Sequence, residues 1–194
     1  MKVFVALAVA ASFLAMPALS EPVNIQRDVA VVTVPTENGP VDISRIQDNE
    51  NKVSGDWALT SRKCPPFCIQ PMAPAPGVIT IGELELMDML RDPDAVVIDS
   101  RVTSNFEGGS IPGAISVPFT EAADRLDELG CEVDFEGFEC TDPKPVALFC
   151  NGPWCGQSPT AARRMIKAGY PAEMIHYYRG GMQVWRMLGL TVTQ

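Results

Sequence analysis

The sequence predicts one α/β domain around a mostly parallel sheet, with a small β-containing appendage in front of it. Three observations carry this. After Gly77, short apolar runs alternate with stretches of helical period, as in a sheet covered by crossover helices. Two of those runs, "AVVIDSR" (Ala95–Arg101) and "VALF" (Val146–Phe149), are apolar at successive positions, the pattern of strands buried on both faces. Finally, the proline-rich "QPMAPAPG" (Gln70–Gly77) separates this region from an earlier segment whose regular signals are two β runs.

In order, "VAVVTV" (Val29–Val34) and "VDISRI" (Val41–Ile46) read as strands joined by the turn "PTENGP". "CPPFC" (Cys64–Cys68) makes a tight corner, and Gln70–Gly77 reads as a semi-rigid linker. "ITIGELELMDMLRDP" sets Leu84, Met87 and Leu90 on one helix face and stops near Pro93. Ala95–Arg101 is a buried strand, and "SIPGAISVP" a turn with a short strand. "TEAADRLDEL" (Thr120–Leu129) has helical spacing with Thr120 as cap, and "CEVDFEGFEC" (Cys131–Cys140) reads as a surface loop closed by its end cysteines. Val146–Phe149 is the next strand. "PTAARRMIKAG" is a helix with Ser158 as cap, Pro159 at the first position and Gly169 at the exit. "MIHYY" (Met174–Tyr178) is a strand and "GMQVWRMLGL" (Gly181–Leu190) the last helix.

Residues 1–20 read as a secretory signal peptide: Lys2, the apolar stretch Val3–Met16, then the small-residue site Ala18-Leu19-Ser20, with cleavage between Ser20 and Glu21. The stretch is short for a bilayer span, and no cysteine follows the cleavage site for lipid attachment. The organisation expected is therefore 1–20 signal peptide, 21–77 appendage and linker, and 78–194 main domain. The mature chain should be exported, to a periplasm or the medium, with no membrane association. The formal charge of −9, or −10 without Lys2, argues against nucleic acid, whose phosphates demand a basic face.

Export changes the reading of the six cysteines, because oxidising compartments favour disulfides. Proximity suggests Cys64 with Cys68, Cys131 with Cys140, and Cys150 with Cys155. The first four read as structural staples. The pairs lack Cys-x-x-Cys spacing and His176 is the single histidine, so no metal is expected.

The chemistry centres on "CNGPWCGQSP" (Cys150–Pro159), between a strand and a helix. Ligands bind at the carboxyl ends of parallel strands, where Asp99 and Arg101 also fall. Loop N–H groups entering a helix form an anion site, which would hold Cys150 as thiolate. His176 sits inside a strand, so a Cys–His hydrolase lacks its base. Sulfur transfer, thiol–disulfide exchange and thiol attack on an oxyanion remain.

Residues 78–194, about three fifths of the chain, resemble a rhodanese-like domain. The matching motifs are "VVIDSR", "FEGGSIPGAISVP", "VALFCNG" followed by "AARRMIKAGY", and "YYRGGMQVWRMLGL". The resemblance implies a rhodanese-like three-layer fold and a thiosulfate sulfurtransferase-like activity, with Cys150 carrying sulfur as a persulfide. It implies a substrate site made by the loop Asn151, Gly152, Pro153, Trp154, Cys155, Gly156 and Gln157, with Asp99 and Arg101 shaping and charging it. The partners implied are a small sulfur-containing donor and a thiophilic acceptor; no metal or organic cofactor is implied. Ser110 stands where the family has a histidine, and the loop from Cys150 to Ala161-Ala162 is about two residues longer than usual. The loop has no arginine to clamp phosphate, which argues against phosphatase activity. Two alternatives stay open: a thiol–disulfide oxidoreductase using Cys150 and Cys155, and a binding module whose Cys150–Cys155 disulfide blocks the site.

Overall fold

A computed structural model describes residues 21–135 and 137–193; the signal-peptide reading of residues 1–20 lies outside them. The central sheet has five parallel strands: β3 (Ile79–Ile81), β4 (Val96–Asp99), β5 (Ile115–Ser116), β8 (Val146–Phe149) and β9 (Ile175–Tyr178), in the order β3-β9-β8-β4-β5. Around it lie helices α1 (Glu83–Arg91), α2 (Thr103–Glu107), α3 (Gln157–Lys167) and α4 (Gly181–Met187). Two antiparallel pairs complete the chain: β1 (Val31–Val34) with β2 (Val41–Ser44), and β6 (Glu132–Asp134) with β7 (Gly137–Glu139). No described helix is long and apolar enough to cross a membrane.

Strand alternation sorts the core into two layers. Ile98, Val146, Leu148, Ile175 and Tyr177 face α3 through Ala161, Ala162 and Met165. Val97, Ala147, Phe149 and Tyr178 face the opposite cluster, with Leu86, Met87 and Leu90 of α1 and Met182 and Trp185 of α4. Every residue of β8 is buried, which is why its sequence is uninterruptedly apolar.

The N-terminal segment is built into this second layer. Val34 and Ile43 of the hairpin are fully buried in the same cluster as Trp185. The backbone continues the attachment, with Ile46 N–H on the Gly189 carbonyl (2.8 Å) and Thr191 N–H on that of Ser44 (3.1 Å). The stretch read as a linker also lies on the domain: Pro74 is buried, and its carbonyl accepts from Arg163.

Three local expectations are corrected. Thr120–Leu129 is not a continuous α-helix but a series of turns ending in a 3-10 helix, Leu126–Leu129. Ala122, Leu126 and Leu129 are buried as helical spacing required, yet Glu121 and Asp124 donate to carbonyls only three residues back. Arg125 leaves helical geometry and turns its side chain to Glu128 and the Ser116 carbonyl. Cys131–Cys140 is a hairpin, β6–β7, rather than an irregular loop. Ser158 is not the cap of α3; Gly156 holds that position and Ser158 is the second helical residue.

Candidate active site

Cys150 leaves the carboxyl end of β8, the middle strand of the sheet, and the chain enters α3 seven residues later. The loop turns tightly, with Cys155 N–H donating to the Gly152 carbonyl (2.8 Å). The start of α4 holds its first residues: Met182 N–H donates to the Cys150 carbonyl (3.0 Å) and Gln183 N–H to that of Asn151 (2.9 Å). This approach requires glycine. Gly181 has φ +53, and a Cβ there would stand 2.3 Å from the Cys150 carbonyl oxygen. The sequence contained this feature in "YRGGMQ", but nothing in a linear pattern says which carbonyl the glycine must meet.

Cys150 is 2 % exposed and Cys155 5 %, and both are free thiols. Side chains near a helix N-terminus tilt back along the axis, which carries Ser158 Oγ to 3.0 Å from Cys150 Sγ as a donor. The Cys150 sulfur also lies 3.3 Å from the Cys155 carbonyl oxygen, an acceptor for its proton. Burial, followed by the hydrogen bond and charge of Cys155, pushes the Cys150 thiol well above the ordinary range, against the opposing effect of Ser158.

Cys155 behaves in the opposite way. The hydrogen bond from Cys150 brings it down to about 7 against the cost of burial, helped by the N–H groups of Gln157 and Asn151 and the Asn151 side chain. The expectation that loop donors hold Cys150 as a thiolate is therefore corrected. The donor at the Cys150 sulfur is the Ser158 hydroxyl, and the Cys155 thiol donates to Gln157 Oε1 across 3.7 Å.

Asp99 and Arg101 sit beyond the loop in a buried ion pair. Arg101 Nη2 and Nε meet Asp99 Oδ2 and Oδ1 at 2.6 and 2.9 Å, with exposures of 2 % and 0 %. Ser110, in the place of the family's histidine, donates its hydroxyl to Asp99 Oδ2 (2.7 Å), and the Gly109 carbonyl accepts from Arg101 (2.8 Å). Arg101 Nη1 reaches Asn151 Oδ1 at 3.5 Å. The pair thus acts on the loop through Asn151, as a positioning device.

Pro153, Trp154 and Gly156 meet the N-terminal segment. Trp154 is half-buried against Phe67, ring centroids 4.8 Å apart, with the Arg62 guanidinium over both rings. Gln70 N–H donates to the Pro153 carbonyl (2.9 Å), and the Gln70 carbonyl accepts from Arg179 (3.0 Å). Gln70 also lies beside Gly156. Cys64 is bonded to Cys68 within this cover, and Cys131 to Cys140 in the β6–β7 hairpin. Sequence reasoning missed the contact of Phe67, Arg62 and Gln70 with the site; the aromatic within "CPPFC" was its one trace. Among the described residues, no group of three or more His, Cys, Asp or Glu is placed to hold a metal ion.

A cysteine at the tip of the central parallel strand, heading a loop that runs into a helix, defines an α/β cysteine-loop protein. Residues 83–188, more than half of the chain, match the Rhodanese-like domain family, and the chain belongs to that family. It is 31% identical over 114 residues to the HTH-type transcriptional regulator Rv0324 of Mycobacterium tuberculosis, a match that covers 59% of this chain and 44% of that protein. The chain thus spans less than half the length of that relative. Among solved structures it resembles a rhodanese-related protein from Thermoplasma volcanium (23% identity, TM-score 0.43, 59% of this chain and 97% of that one). It also resembles the BH2092 protein of Bacillus halodurans (21%, TM-score 0.46, 59% and 76%).

Proposed function

We propose that this protein is an exported sulfurtransferase that carries sulfane sulfur on Cys150. The observation behind this reading is the position of Cys150: at the end of β8, before α3, with the Ser158 hydroxyl 3.0 Å from its sulfur. Cys155, a thiolate near neutral pH beside it, is placed to take the Cys150 proton as attack begins. With thiosulfate as donor, Cys150 sulfur bonds to the outer sulfur, the donor's S–S bond breaks, and sulfite leaves with that bond's electron pair. Cys150 is left as a persulfide anion and Cys155 as a thiol. The Ser158 hydroxyl and the α3 N-terminus favour the negative sulfur. A thiophilic acceptor, such as cyanide, then takes the outer sulfur and restores Cys150. The cover of residues 62–70 favours small donors and acceptors over bulky ones.

The test is the intact mass of the mature protein before and after thiosulfate, alongside transfer to cyanide. Wild type should gain one sulfur atom and lose it to cyanide, and Cys150→Ser should do neither. Full transfer by Cys150→Ser, or a wild type that never gains sulfur, overturns the assignment. Export is tested separately: amino-terminal sequencing of the exported chain should begin at Glu21 or within a residue or two.

A further inference from the structure

We infer that Cys155 is a resolving thiol that displaces the sulfur carried on Cys150 as hydrosulfide and closes a Cys150–Cys155 disulfide. The site would then reduce sulfane sulfur as well as transfer it. The inference rests on the sulfurtransferase reading above.

Three observations carry it. The two thiols are both buried and belong to one loop, whose turn from Gly152 to Cys155 brings the Cys155 carbonyl to 3.3 Å from Cys150 Sγ. The other four cysteines are paired with each other, so these two are the thiols left for chemistry. The cover closes the mouth: Phe67 packs on Trp154, and Gln70 is tied to both Pro153 and Arg179. A bulky acceptor must displace this cover to reach a sulfur on Cys150, whereas Cys155 is already inside. Well-placed intramolecular groups reach effective molarities of order 10⁵ M or more, which favours the internal thiol over a dilute external one.

The step balances without an external oxidant. The proton taken up by Cys155 passes to the outer sulfur of the Cys150 persulfide. Cys155 thiolate then attacks the inner, Cys150 sulfur; a new S–S bond forms, the persulfide bond breaks, and hydrosulfide leaves with its electron pair. The sulfane sulfur is reduced, and the two cysteines are oxidised to the disulfide. A soluble dithiol returns the pair to thiols, becoming a disulfide itself.

The experiment uses the mature protein with its two structural disulfides intact, given thiosulfate with neither cyanide nor reductant. Trapped hydrosulfide and non-reducing peptide mass are followed together. No Lys or Arg separates Cys150 from Cys155, so closure appears in one tryptic peptide as the loss of two hydrogens and of two alkylation sites. Wild type should release one equivalent of hydrosulfide per chain and acquire the closed peptide; a dithiol should reopen it for another turnover. Cys155→Ser should hold the added sulfur and release hydrosulfide at least tenfold more slowly. The wild-type peptide decides the matter if that variant folds poorly. A wild type that keeps its added sulfur, with Cys155 alkylatable, overturns the resolving role and leaves the sulfurtransferase reading standing. A wild type that neither gains sulfur nor releases hydrosulfide overturns both.

Discussion

The Ser158 hydroxyl donates to Cys150 Sγ across 3.0 Å, and it reaches the sulfur because Ser158 is the second residue of α3 rather than its cap. A cap would aim its oxygen at the helix's own N–H groups. Here the serine serves the thiol, and it is the side chain that works against the burial of Cys150.

Ser158→Ala should therefore slow sulfur transfer at neutral pH by roughly tenfold to a hundredfold, the worth of a hydrogen bond to a charged group. The sign of its pH effect follows from the direction of the shift. Ser158 lowers the Cys150 thiol, so removing it raises that thiol further and lowers the plateau of the rate profile, while the rising limb stays where Cys155 ionises. Thiolate absorbance should still show Cys155 titrating near 7. An unchanged rate profile would mean the hydroxyl does not act on the reacting sulfur.

Phe67→Ala should open the site. An aromatic pair such as Phe67–Trp154 contributes about 0.5–1.5 kcal/mol beyond its buried area, so its loss should favour an uncovered loop by a few-fold to tenfold. The expected readout is a matching rise in alkylation of Cys155 by iodoacetamide in the reduced-site protein. Equal alkylation rates in the variant and wild type would show that the N-terminal cover does not control access.

Asp99→Asn should be strongly destabilising. It leaves Arg101, 2 % exposed, without its counter-charge, and breaking a buried pair from one side costs about 3–5 kcal/mol. Urea unfolding measures this directly, and a loss below about 1 kcal/mol would contradict the structural role of the pair. Asn151 should lose its anchor at the same time, since Arg101 Nη1 is its partner.

Much of the fold was legible because burial writes itself into local composition. β8 and β4 are nearly continuous apolar runs, and Met87 and Leu90 share the buried face of α1, although its third member is Leu86 and the expected Leu84 is exposed. Where two backbone solutions bury the same side chains, the pattern fails. Ala122, Leu126 and Leu129 satisfy an α-helix and a chain of tight turns equally well, and the structure takes the turns. The β6–β7 hairpin was missed because its strands are largely exposed and carry little apolar alternation. Cys150 stood out by its place after a buried strand. The roles of the residues around it did not.

The sequence by itself determined the parallel α/β core, the membership of Cys150 and Cys155 in one strand-to-helix loop, and the local reach of each staple pair. These follow from near-neighbour spacing and from the period of each element. The tertiary structure alone decided that the donor at Cys150 is the Ser158 hydroxyl, and that Arg101 is consumed by Asp99 and Asn151. It also decided that Phe67 and Gln70 close the mouth of the site. Hydrogen-bond direction and desolvation depend on where distant segments meet. Gln70 and Pro153, or Gly181 and the Cys150 carbonyl, become neighbours only once the two core layers have packed.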